Sequence, residues 1–250
     1  MPKCIPSAGG ALICASLLTM AASPAQATGV LFTLDENLSS ITLTMSSGSS
    51  TSNTEVLHLS GDFTLDLSPA AVGSWDGSAA FIDVLAGSYD GPVTLSIPFV
   101  SLEIDSLGLT GIDMTIPSSP ATLSGGPGIS SGTQYGVGTF YEVQGYATTI
   151  FGNGPVDFTD TAITDWTIQV SDPATLGIPG AGNVAARLEA SFTTLVPPTT
   201  GLYISADIVL AGTGSYLPAP TPVPLPGALL LMLSGLAGFV PSILSRRRNS

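Results

Sequence analysis

From Val56 to Leu67 the chain alternates. Leu57, Leu59, Phe63, Leu65 and Leu67 fall on one side, and His58, Ser60, Asp62, Thr64 and Asp66 on the other. A period of two places one set on a buried face and the other in water, which is the pattern of an antiparallel strand packed on one side. The same rule holds in Ala186-Leu188-Ala190-Phe192 and in Leu202-Ile204-Ala206-Ile208-Leu210. Shorter examples are Ile41-Leu43-Met45, Ile112-Met114-Ile116 and Trp166-Ile168-Val170. Alternation along Val93-Leu95-Ile97-Phe99 changes phase at Leu102 and Ile104, so a β-bulge or strand bend is expected near Val100, beside Pro98. Turn residues separate the runs at Ser46–Asn53, Asp76-Gly77, Asp90-Gly91-Pro92, Ser118–Gly128, Gly152-Asn153-Gly154-Pro155 and Pro179–Asn183. Pro197-Pro198 marks a corner before the last strand. There is neither a fixed-period repeat nor a useful helical period outside the two ends, which predicts about nine to eleven antiparallel strands. The fold class is all-β, a β-sandwich or jelly roll.

The two ends read differently. Lys3 precedes an apolar run from Ala11 to Ala22, followed by Ala25-Gln26-Ala27. Small residues at Ala25 and Ala27 suit signal peptidase, so residues 1–27 form a signal peptide cleaved before Thr28. A lipoprotein reading of Cys14 fails because Ile13 stands where a small residue is required. At the other end, prolines at 218, 220 and 222 make residues 217–226 a stiff, extended linker. Residues 227–245 are uncharged and largely apolar, and Arg246, Arg247 and Arg248 follow. A helix from Leu225 to Leu244 would reach about 30 Å, the thickness of a bilayer's hydrocarbon core. The arginines hold the short 246–250 tail in the cytoplasm and leave the 28–216 body outside the inner membrane.

Val223-Pro224-Leu225-Pro226, the apolar helix and the terminal arginines together resemble the PEP-CTERM sorting signal of Gram-negative bacteria, in its VPLPA variant. Val223, Pro224, Leu225 and Pro226 match the motif, with Gly227 standing where Ala is usual. The resemblance is confined to the tail. It implies recognition by an exosortase, transfer of the body from an anchored precursor to the cell surface or beyond, and association with extracellular polysaccharide.

Charge narrows the body's partners. All 18 acidic residues lie between Asp35 and Asp207, and Arg187 is the only lysine or arginine among them. Nucleic-acid affinity needs cations against phosphate, so nucleic acid is excluded as a partner. With 44% apolar residues in alternating runs, the low-charge chain folds rather than staying disordered. Both cysteines, Cys4 and Cys14, lie in the leader, which leaves the mature chain without disulfide or thiolate chemistry.

Candidate chemistry is sparse. His58, the one histidine, falls on the wet face of its strand, which reads as a surface residue rather than a catalytic base. One histidine and no mature cysteine cannot build a zinc site. Calcium has better ligands in Asp157 and Asp160, beside a Gly-rich loop, and in Glu103 with Asp105. Trp75, next to the Asp76-Gly77 turn, is the candidate for stacking on a sugar ring, with Tyr135, Tyr141 and Tyr146 as helpers. Trp166 is in phase with Ile168 and Val170 and belongs to the core. The reading is therefore a non-enzymatic surface or matrix protein with no cofactor. The alternatives are a carbohydrate-binding module and, third, a glycoside hydrolase built on paired carboxylates.

Overall fold

The computed structural model describes residues 28–68, 77–113, 119–125, 128–196 and 201–216. The leader, Trp75 and everything from residue 217 onward, including the predicted membrane helix, lie outside the described residues. The chain separates into two units, Met1–Tyr216 and Leu217–Ser250. Among the described residues no helix is long and apolar enough to cross a membrane.

The body is all-β and antiparallel, as expected. Its elements are β1 Thr28–Leu34, β2 Ser40–Ser47, β3 Ser50–Leu67, β4 Ser78–Ser88, β5 Val93–Ile97, β6 Val100–Asp113, β7 Ala121–Thr122, β8 Ser130–Thr149, β9 Gly152–Ser171, α1 Pro173–Leu176, β10 Val184–Leu195 and β11 Tyr203–Gly214. Together the strands form one continuous sheet. Its order follows the chain, and the pairings β3–β4, β1–β11 and β2–β11 join its ends into a ring.

Three positions of the ring are shared by two strands lying end to end. β1 and β2 both fill the space between β3 and β11. β4 and β5 lie one after the other along β6. Beyond the end of β6, β7 pairs with the start of β4, and Ser124 bridges to Ser131 of β8. Eight positions therefore circle the body, each paired with its neighbours in sequence.

Two of these joints are closed by side chains that stand in for missing backbone partners. Between β1 and β2, Ser39 is fully buried, and its Oγ donates to the Ala211 carbonyl and accepts from the Ala211 N–H, both at 3.0 Å. Its own carbonyl accepts from Leu59 N–H at 2.9 Å. Between β4 and β5 the Asp90 carboxylate accepts from the His58 N–H. Buried amides rarely go unpaired, and these residues supply what the interrupted ladder cannot.

The alternating positions of all the long strands point into a single core, where Phe32 stacks on Phe63 at 4.9 Å and Trp166 is fully buried. Trp166 Nε1 donates to Thr139 Oγ1 at 3.0 Å, so the indole keeps a polar partner inside. A small second cluster of Ile178, Ala185 and Ala211 lies apart from that core, with Leu38 and Leu176 against it. The helix α1 that leads to it is started by Asp172, whose side chain accepts from Thr175 N–H at 3.0 Å, with Pro173 next.

Two turns differ from expectation. The phase change near Val100 is a two-residue hairpin, Pro98-Phe99, rather than a bulge, and Phe99 points to solvent instead of inward. The β8–β9 turn is Ile150-Phe151, and Gly152-Asn153-Gly154-Pro155 are already in strand, paired with Thr149 through Tyr146. Thr149 fixes that turn: its Oγ1 donates to Gly152 O at 2.8 Å and accepts from Phe151 N–H at 3.1 Å.

Strand directions give the body two poles. Thr28 and Gly214 lie at one, the terminal pole, together with the end of β3, the start of β4, the start of β8 and the β9–β10 connection. The tips of the β2–β3, β5–β6 and β8–β9 hairpins lie at the other, the hairpin pole, with the end of β10 and the start of β11.

Candidate functional site

Of the residues singled out by sequence, Ala25, Ala27, Trp75, Val223, Pro224, Leu225, Pro226 and Arg246 to Arg248 lie outside the described residues. Thr28 opens β1 opposite Leu67. The two candidate calcium ligands are not brought together. Asp157 pairs with the exposed Gln144, whereas Asp160 pairs with Tyr141, whose ring is buried. Cross-strand partners share a face and successive residues alternate, so these carboxylates leave opposite faces of β9. Glu103 and Asp105 are both exposed, the latter at the register shift between Ile104 and Ser106. Among the described residues no three His, Cys, Asp or Glu side chains gather in a way that could hold a metal.

His58 belongs to a structural joint. Its Nδ1 lies 3.0 Å from Asp90 Oδ2, and its ring centre is 5.9 Å from that of Tyr89. The His58 backbone N–H, followed by the side chain, holds the Asp90 carboxyl below the usual 3.8. A depressed carboxyl favours the fold above its ordinary pKa, and this contribution is lost as pH falls through the lower, folded value.

The most constructed site in the body is one the sequence reading missed. β9 pairs with β10 only along Thr167–Ser171, opposite Ala185–Glu189. Toward the hairpin pole no further β9–β10 pairing is described, and side chains close the seam. Tyr141 from β8 stacks on Phe192 of β10, ring centres 5.0 Å apart, and meets Phe158 of β9 edge-on at 6.2 Å. Its hydroxyl donates to Thr194 Oγ1 at 2.7 Å and lies 3.4 Å from Asp160 Oδ2. Burial, with the Asp160 carboxylate nearby, pushes the phenol up to about 12. The void beneath measures about 10 Å³, room for a single water. The seam is a packed clasp and holds no ligand-sized space. Only the inward phase of Tyr141 with Val143 hinted at it, and three aromatics on three strands give no local motif.

The surface retains part of the proposed stacking set. Tyr135 and Tyr146 are 63% and 44% exposed, whereas Tyr141 is buried and cannot meet a sugar. Tyr89 and Tyr203 add exposed rings that sequence reasoning did not single out. No family model matches the chain, and no curated protein or solved structure matches it.

Proposed function

We propose that this chain is an exported, non-enzymatic surface or matrix protein, sent outward by its N-terminal signal peptide and sorted through its C-terminal tail by an exosortase. The observation that carries the reading is the order of parts after Tyr216: a Pro motif at Val223–Pro226, an uncharged apolar stretch, then Arg246, Arg247 and Arg248. An apolar segment of that length fits a bilayer, and trailing arginines set its orientation. The body is compatible with such delivery, since its described chain starts and stops at one pole. Facing walls also meet across the small void, where Ile41 and Ile204 line one side and Ile104 and Val143 the other. That favours a ring flattened toward the two-layered packing of a sandwich.

The test is the double substitution Pro224→Ala, Pro226→Ala, read by fractionation and intact mass. The wild-type body is expected at the cell surface without its tail, and the variant in the inner-membrane fraction at full precursor mass. A variant that reaches the surface with the wild-type mass defeats the sorting reading.

A second reading, a carbohydrate-binding module, draws on the exposed rings of Tyr135 and Tyr146. On a glycan array it predicts saturable binding that drops about tenfold or more in Trp75→Ala or Tyr146→Ala, the loss of one stacking contact. Flat signals across the array dispose of it.

A further inference from the structure

The carboxylates are not spread evenly over the body. The sequence carries no charge in 37–54, 91–102, 143–156 or 190–206, each run is flanked on both sides by an Asp or Glu, and the described residues of these four runs build the hairpin pole. Within this uncharged cap, two neighbouring hairpins end in apolar side chains. Val100 pairs with Thr149, so the Pro98-Phe99 and Ile150-Phe151 tips stand side by side. Phe99, Ile150 and Phe151 are 73%, 65% and 93% exposed. Phe99 is also the one non-glycine among the described residues with positive φ, at 73°. A glycine there would relieve the backbone and remove the exposed ring, yet the chain keeps phenylalanine. Local strain combined with an exposed aromatic marks a functional position.

We infer that the hairpin pole docks on a lipid surface of low net charge, with Phe99, Ile150 and Phe151 entering the headgroup–acyl boundary. Three features select lipid over other occupants. The tips are convex knobs, which a fluid boundary accepts in any shape, whereas a second copy would need a matching hollow. Along the strands the nearest carboxylates are Glu103, four residues from Phe99, and Asp157, six from Phe151. At about 3.3 Å per residue, tips sinking the usual 5–10 Å drag no charge with them. Tyr146, on β8 behind the tips, and Tyr203, at the start of β11 on the same pole, are half-exposed, as amphipathic rings are at a membrane boundary. The absence of cations and the carboxylates below the cap turn the pole away from anionic headgroups. This inference stands independently of the sorting reading.

The test uses the protein in whatever form cells yield it, with Cys4 and Cys14 replaced by Ser if the leader is retained. An environment-sensitive dye is placed on Asn153→Cys, beside the tips, or on Ala181→Cys, at the terminal pole. With phosphatidylcholine vesicles the dye at 153 is expected to brighten and shift to the blue while the dye at 181 stays unchanged. Mixing in phosphatidylglycerol at low salt weakens the response. The triple substitution Phe99→Ser, Ile150→Ser, Phe151→Ser lowers lipid affinity by about a hundredfold or more, from the apolar area withdrawn. Phe99→Gly, which cannot unfold the turn, lowers affinity severalfold with a melting temperature equal to or above wild type. The inference is overturned if position 153 stays silent at millimolar lipid, or if only position 181 responds. It also fails if the triple variant binds as well as wild type. Tighter binding to anionic vesicles sinks it too, as does a signal that arises from self-association or a neutral glycan without lipid.

Discussion

Gly61→Ala is expected to remove about 3 kcal/mol or more of stability, from steric overlap and a disfavoured backbone together. Gly61 sits in β3 at φ 131°, and a Cβ built on it would lie 2.1 Å from the Leu85 carbonyl oxygen. The clash is with backbone, so no side-chain rotation relieves it. Gly61 also pairs with Ala86 in the β3–β4 ladder, without which the ring would be open. The substitution therefore strains the closing ladder itself. Gly87, one residue along β4, is the control: nothing lies within 4 Å of its added Cβ. Gly87→Ala should stay within about 0.5 kcal/mol of wild type, as surface substitutions usually do. Urea melts of both variants check this, and equal midpoints would show that the β3–β4 closure is wrongly placed.

Ser39→Ala is the second large effect, at about 2–3 kcal/mol, from one buried amide left unsatisfied and one hydrogen bond lost. The Ala211 carbonyl keeps a partner, since the Asp35 N–H also donates to it at 2.8 Å. The Ala211 N–H has only the Ser39 hydroxyl. Ser39→Cys, close in shape and still a weak donor, should fall between the two. Chemical denaturation reads the difference directly, and amide exchange at Ala211 should rise in parallel. Full stability in the alanine variant would mean that the β1–β2 joint is not held as described.

Much of the body was legible because alternation is a physical signal: one face must be dry and the other wet. Leu57, Leu59 and Phe63, and likewise Ile204, Ala206 and Ile208, face the core as their phase predicts. The turn at Pro98-Phe99 was not legible for an equally physical reason. A two-residue hairpin and a bulge both shift the phase by one, so Ile97 followed by Val100, Leu102 and Ile104 fits either. At Gly152–Pro155 the density of turn-forming residues misled, because pairing with β8 outweighs local preference and leaves Ile150-Phe151 to turn. The clasp at Tyr141 and the joint at Ser39 depend on partners 53 and 172 residues away. No local pattern encodes such contacts. The cap's lack of charge was present in the sequence, but it acquires meaning only once the topology gathers four separated stretches at one end.

Because the strands circle in chain order, almost every ladder can zip onto the piece made just before it, and such neighbour-by-neighbour assembly searches little space. One step is different. Phe32 must find Gly214 before the ring is sealed. A chain made amino end first therefore stays an open, unlatched ribbon until β11 has been synthesised. The ring is sealed only when β11, the last strand, has arrived.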